Sequence, residues 1–249
     1  MKNSVIINFS QQTVEALNME SFTLCCFLAC KSKNPSLFRP LCWNVTKKFM
    51  KSVLIEWEYN LSSYASTSII MPDNVIYFPQ PEPLLSGSLS RLKSIAGSNY
   101  KIKLKERMLI KEYGEILIDT ENTNTFDTVL IQNDSNSEYA TGICVYSNND
   151  RKYYGSSVFK TFGGQAIDVA PANKIFLMFS NNDIQNNTVI LNSENRGILI
   201  DLTDSKDNSR TVSYDINHGW DANKQVWGQK YSHGTDLKKL LVSTLNQND

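Results

Sequence analysis

Two basic passages, one pair of histidines and one group of cysteines are the residues whose types and spacing can do chemistry. Lys101, Lys103, Lys105 and Arg107 alternate with Ile102, Leu104 and Glu106. On a strand the four cations share one face, with about 7 Å between neighbours. Such a stripe can hold the phosphates of a nucleotide or a nucleic acid. It equally suits a solvated edge strand whose lysines discourage unwanted pairing. In the second passage, Arg151, Lys152 and Tyr153 lie within Asp150–Gly155 and mix cations with aromatic rings. That mixture supports base stacking, or marks a hairpin tip. Nucleotide is therefore the one ligand class these residues suggest, and no cofactor is required.

His218 and His233 are the only histidines. With Asp215 and Asp221 they can form an acid–base or metal cluster on one loop, although Asn217-His218-Gly219 also reads as an ordinary turn. Four of the five cysteines, Cys25, Cys26, Cys30 and Cys42, crowd the first fifth of the chain, with Cys144 apart. An odd count so distributed is a poor disulfide framework, and the spacing lacks the two-residue gap of a zinc knuckle or redox motif. Buried free thiols are expected. The nucleophile elbow, the His-Glu-x-x-His signature, the Walker loop and the dinucleotide fingerprint are all missing. These residues point to a binding or structural protein and not to an enzyme.

The elements that must position these groups are strands. Short apolar or alternating runs recur along the chain, separated by Asn, Asp, Ser and Gly clusters. They include Val5–Phe9, Phe22–Ala29, Val53–Tyr59, Val75–Phe78, Lys101–Lys105, Ala166–Val169, Lys174–Phe179, Thr188–Leu191 and Thr211–Tyr214. The rhythm predicts a mainly β fold, an antiparallel β-sandwich in one domain over residues 1–249. A few short helices are expected. Thr235–Leu245 carries a leucine stripe, Ser86–Ile95 is a middle candidate, and Ser10–Met19 makes residues 1–20 an N-terminal helical arm. Pro72, Pro79, Pro81 and Pro83 bracket an irregular passage.

Composition narrows the function classes. Lys plus Arg and Asp plus Glu both total 25, so formal charge is zero. Dedicated nucleic-acid binders carry a basic excess, so the balance argues against one, and it favours self-association. Phe22–Cys30 is too short to span a bilayer and lacks the basic flank of a signal peptide. It reads as a buried strand in a protein that stays where it is made, without a membrane partner.

Tyr139-Ala140-Thr141-Gly142-Ile143, followed by Asn149–Gly155 and a strand, resembles the polyhedrins of cypoviruses. That family implies a β-sandwich with a leading helix that clasps neighbouring copies. It implies a structural matrix protein that self-assembles into crystalline occlusion bodies in the cytoplasm of the host cell. Its partners would be other copies of itself and the virus particles it embeds, with nucleotide trapped at the two basic passages. Release in alkali would follow from ionising tyrosines and cysteines. A second likeness, to the rhizosphere-induced RhiA-like bacterial proteins, rests on Pro40-Leu41-Cys42-Trp43 and Ile55-Glu56-Trp57-Glu58-Tyr59. It goes with the alternative of a non-enzymatic binding module, lectin-like, that recognises carbohydrate through Trp43, Trp57, Trp220 or Trp227.

Overall fold

Val5, Ile7 and Phe9 alternate with more exposed neighbours and are buried, as period-two patterning demands of a strand with one face on a core. A computed structural model describes residues 2–81, 97–120 and 126–245, and builds two nine-stranded sheets from such segments. The first sheet contains β1 (Lys2–Phe9), β3 (Phe38–Pro40), β5 (Ser52–Ser66), β6 (Gly97–Ile102) and β10 (Tyr139–Ser147). It is completed by β11 (Lys152–Gly155), β12 (Ser157–Thr161), β15 (Ser209–Asp215) and β16 (Gly219–Asp221). The second contains β2 (Thr23–Ser32), β4 (Asn44–Thr46), β7 (Arg107–Ile110), β8 (Ile116–Asp119) and β9 (Val129–Asn133). To these it adds β13 (Gln165–Ser180), β14 (Gly197–Asp201), β17 (Gly228–Tyr231) and β18 (Val242–Thr244).

The mainly β expectation holds, but the sheets are mixed. Parallel pairs join β1 to β15, β7 to β9 and β18 to β2. Parallel neighbours need long connections, and a rhythm of short runs cannot reveal which strands return to one another. Ala166–Val169 and Lys174–Phe179 prove to be one strand, β13, whose pairing with β2 shifts register between Pro171 and Ile175. Pro171 lies where a missing N–H costs least, at an irregularity in the ladder. Val75–Phe78 and Thr188–Leu191 form no extended strand and meet in an isolated bridge between Val75 and Thr188.

The ring of Phe179 ties the sheets together. It contacts Phe9, Tyr214 and Trp220 of the first sheet at centroid distances of 6.3, 4.4 and 5.5 Å. Trp43 meets Trp57 at 6.0 Å, and its Nε1 donates to the Val145 carbonyl at 3.0 Å. A second, smaller cluster covers part of the first sheet, with Tyr64 stacked on Phe78 at 4.1 Å. Thr23–Ala29 is buried throughout, which explains its continuous apolar run.

Helices are few. Ser10 caps α1 (Gln11–Met19) by accepting from the Thr13 amide at 3.2 Å. The first 20 residues are not a helical arm, however: β1 lies between β15 and β5, and α1 packs down with Leu17 buried. The alternating pattern of Val5–Phe9 outweighs the helix signal that follows it. At the other end α2 spans only Leu237–Leu241, capped by Asp236 and not Thr235. β-Branched Val242 and Thr244 then pair with Cys30 and Ser32 as β18. The candidate helix Ser86–Ile95 lies outside the described residues. No helix among those described is long and apolar enough to cross a membrane.

Candidate functional site

The alternating cations from Lys101 to Arg107 do not form one face. β6 ends at Ile102 in the first sheet and Arg107 opens β7 in the second. Between them the chain turns, with Lys105 at φ +72° and the Glu106 carboxylate accepting from the Lys103 amide at 2.7 Å. Lys105 pairs with Asp127 at 3.0 Å and Arg107 with Asp119 at 2.5 Å. Arg151 is the left-handed tip of the β10–β11 hairpin, and Lys152 is exposed beside it. The Tyr153 ring lies against Tyr146 at 5.2 Å, while its backbone exchanges two hydrogen bonds with the Gln80 side chain. β5 and β10 separate β6 from β11, roughly 14 Å across the sheet, so the two basic passages stay apart.

His218 Nδ1 lies 2.9 Å from Asp215 Oδ1, which also accepts from the backbone N–H groups of Asn217 and His218. These donors, the Asn217 amide first and the His218 ring next, hold the Asp215 carboxyl below its ordinary value. A depression of about 460 Å³ next to the pair is also lined by Asp221 and Lys230, but not by His233. Among the described residues no group of three or more His, Cys, Asp or Glu is arranged to hold a metal. The five cysteines are free and buried, as their spacing suggested. Trp43 and Trp57 are fully buried and Trp220 is 2 % exposed, so none of these three offers a ring face to a ligand. Of the four tryptophans only Trp227 reaches the surface.

A different groove brings together residues that composition alone did not single out. The bridge between Val75 and Thr188 draws the proline-bracketed passage onto the Asn-rich loop. Asp73 donates its amide to the Val189 carbonyl at 2.9 Å and Ile76 donates to Asn187 at 3.0 Å. The groove beside this seam holds about 380 Å³. It is lined by Tyr77, 59 % exposed, by Tyr154 from β11, by the amides Gln185, Asn186 and Asn187, and by Lys47. Asn186 Oδ1 is shut off from solvent and accepts no hydrogen bond. Burial pushes the Tyr154 phenol above its ordinary value, Asp150 adds to the effect, and contact with the Asn186 amide partly offsets it.

Across Val75 and Gln185 the groove meets an acid-lined depression of about 540 Å³, with Asp73, Asp183 and Glu194 on its walls. Lys47 reaches across to pair with Asp183. The arrangement offers hydroxyl-sized donors and acceptors beside an accessible phenol ring, which is chemistry for holding a ligand in place. Of the predicted passages only its neighbour Tyr154 takes part. The doubled asparagines at 186 and 187 were the visible signal, but they also suit turns. Comparison with family models, with curated proteins and with solved structures finds no match to this chain.

Proposed function

We propose that the protein is a non-enzymatic β-sandwich binding module that takes a neutral, hydroxyl-rich ligand, a carbohydrate, in the groove between Tyr77 and Asn186. One observation carries the reading: an exposed tyrosine ring, Tyr77, shares a groove with the side-chain amides Gln185, Asn186 and Asn187. Phenol rings accept the C–H face of a sugar, and adjacent amides serve its hydroxyls. The fate of the nucleophiles supports the non-catalytic half, since burial pushes the Cys26, Cys30 and Cys144 thiols up. A glycan array followed by calorimetric titration of the strongest hit tests the reading. Asn186→Ala and Tyr77→Ala should each weaken binding by about tenfold with the thermal midpoint unchanged. An array without hits, or affinity indifferent to both changes, overturns it.

A matrix protein of occlusion bodies is the second reading, favoured by zero formal charge together with exposed methionines. Met19 and Met50 are 80 % and 73 % exposed. Their neighbours Asn18 and Phe49 are joined by two hydrogen bonds of 3.0 Å, which brings the two side chains to one surface. On this reading copies of the chain pack in the host cytoplasm around virus particles. Dense crystals in expressing cells that dissolve in alkali support it; a soluble monomer at high expression overturns it.

A further inference from the structure

Beside the part of β15 that precedes its pairing with β16, residues of β13, β14, β15 and β17 and of the segment entering β17 line a depression of about 190 Å³ that shares no residue with the groove at Tyr77. Arg210 comes from the part of β15 that β16 does not pair, and its guanidinium lies over the Trp227 indole, 4.9 Å from the ring centroid. Stacking of this kind fixes the plane of the guanidinium and is worth about 0.5–1 kcal/mol at an exposed site. Nε donates to the Asp201 carbonyl at 3.4 Å. That uses one of the five N–H donors. The two terminal nitrogens make no ion pair and no hydrogen bond among the described residues.

The other charges around the cavity are already committed or serve as walls. Lys174 Nζ pairs with Asp201 Oδ2 at 2.9 Å. Burial works against the Asp201 carboxylate, but hydrogen bonds from Thr203 and Lys174 more than offset this and hold the pKa of its carboxyl below the ordinary value. Asp204 and the Gln229 amide complete the polar lining. The two terminal nitrogens of Arg210 thus lack an acceptor among the described residues, in a cavity that admits only a small group.

We propose that Arg210, stacked on Trp227, anchors a binding site for a small carboxylate. A planar carboxylate matches the two parallel N–H vectors of the fork. A dianionic phosphate fits less well, because Asp201 and Asp204 also line the cavity and repel the second charge. Gln229 can donate to the outer carboxylate oxygen. This site is independent of the carbohydrate reading and stands or falls on its own ligand.

Trp227 supplies the readout, because the other three tryptophans are buried. Sodium acetate is titrated into the full chain at constant ionic strength while tryptophan fluorescence is followed, with inorganic phosphate as the second arm. A saturable change with a millimolar midpoint for acetate, and a weaker one for phosphate, is expected. Arg210→Lys keeps the charge and the stem but loses the fork, and should weaken acetate binding by about tenfold. Trp227→Phe should abolish the optical signal while acetate still shifts the Gln229 amide resonance. A linear response that tracks salt alone, tighter binding of phosphate than of acetate, or equal affinity in Arg210→Lys at an unchanged thermal midpoint overturns the proposal. Arg210→Met separates packing from binding: retained acetate affinity in that variant also overturns it.

Discussion

The Thr13 hydroxyl donates to Asp215 Oδ2 at 3.4 Å and accepts from the Ile216 amide at 3.1 Å, joining α1 to the turn that follows β15. Thr13 is fully buried, and Ser10 Oγ donates to its hydroxyl as well, at 2.9 Å. The helix cap and the turn that carries His218 therefore share one side chain.

Thr13→Val keeps the volume and removes the hydroxyl. The Ile216 amide loses its acceptor, so a loss of about 1–3 kcal/mol is expected. Urea denaturation measures it, and amide exchange at Ile216 should accelerate with it. An unchanged denaturation midpoint would show that water replaces the hydroxyl.

Trp43 packs on Trp57 and donates to Val145 between the sheets. Trp43→Phe retains most of the apolar area but strands the Val145 carbonyl, at about 1–2 kcal/mol. Trp43→Ala adds a cavity and should reach about 3–5 kcal/mol. Chemical denaturation of the two variants orders them, and equal losses would refute the hydrogen bond's share.

Gly142 tests packing at a strand crossing. A Cβ there would come 2.1 Å from the Ser157 carbonyl oxygen and 3.0 Å from the Tyr64 hydroxyl. Backbone cannot yield as a flexible side chain does, so Gly142→Ala should cost roughly 3 kcal/mol or more. A soluble variant with wild-type thermal midpoint contradicts the close approach.

Stability should fall in alkali. Contact with Cys42, then burial, raises the Cys25 thiol; burial raises Cys26, Cys30 and Cys144, and takes the Tyr59 phenol to about 12. Below the ordinary thiol value of 9.0 both the folded and the unfolded chain keep these protons. Above it the unfolded chain releases the thiol protons, and above 10.0 the phenol proton, while the folded chain holds them, so each group removes up to about 1.4 kcal/mol per pH unit until its folded value is reached. Denaturation midpoints measured from neutral pH upward should begin to drop near pH 9, and Cys30→Ala should make the decline shallower. A flat profile into strong alkali would contradict the burial of these thiols.

The strands were legible wherever burial imposes a period, as in Val5, Ile7 and Phe9, and the cysteines wherever spacing excludes a framework. Pairing was not. Alternation at Lys101–Arg107 looks continuous in the sequence, but the left-handed turn at Lys105 and the backbone contact of Glu106 redirect the chain from one sheet to the other. Aromatic type alone does not distinguish a ring in the core from one on the surface, so the tryptophans suggested as sugar contacts include three that are buried. Tyr77 and Asn186 come together through the Val75–Thr188 bridge and the backbone hydrogen bonds beside it. No local pattern announces a contact between segments so far apart in the chain.

The placement of β1 has a bearing on how the chain is made. One edge of β1 finds β5 early in synthesis, whereas the other must wait for β15, with Ser4 paired to Ser209. Until the ribosome has delivered that segment, the nascent chain presents an open ladder of backbone donors and acceptors. Such an edge is adhesive. Fragments that stop short of β15 should therefore clump during translation, even when every residue they contain is wild type.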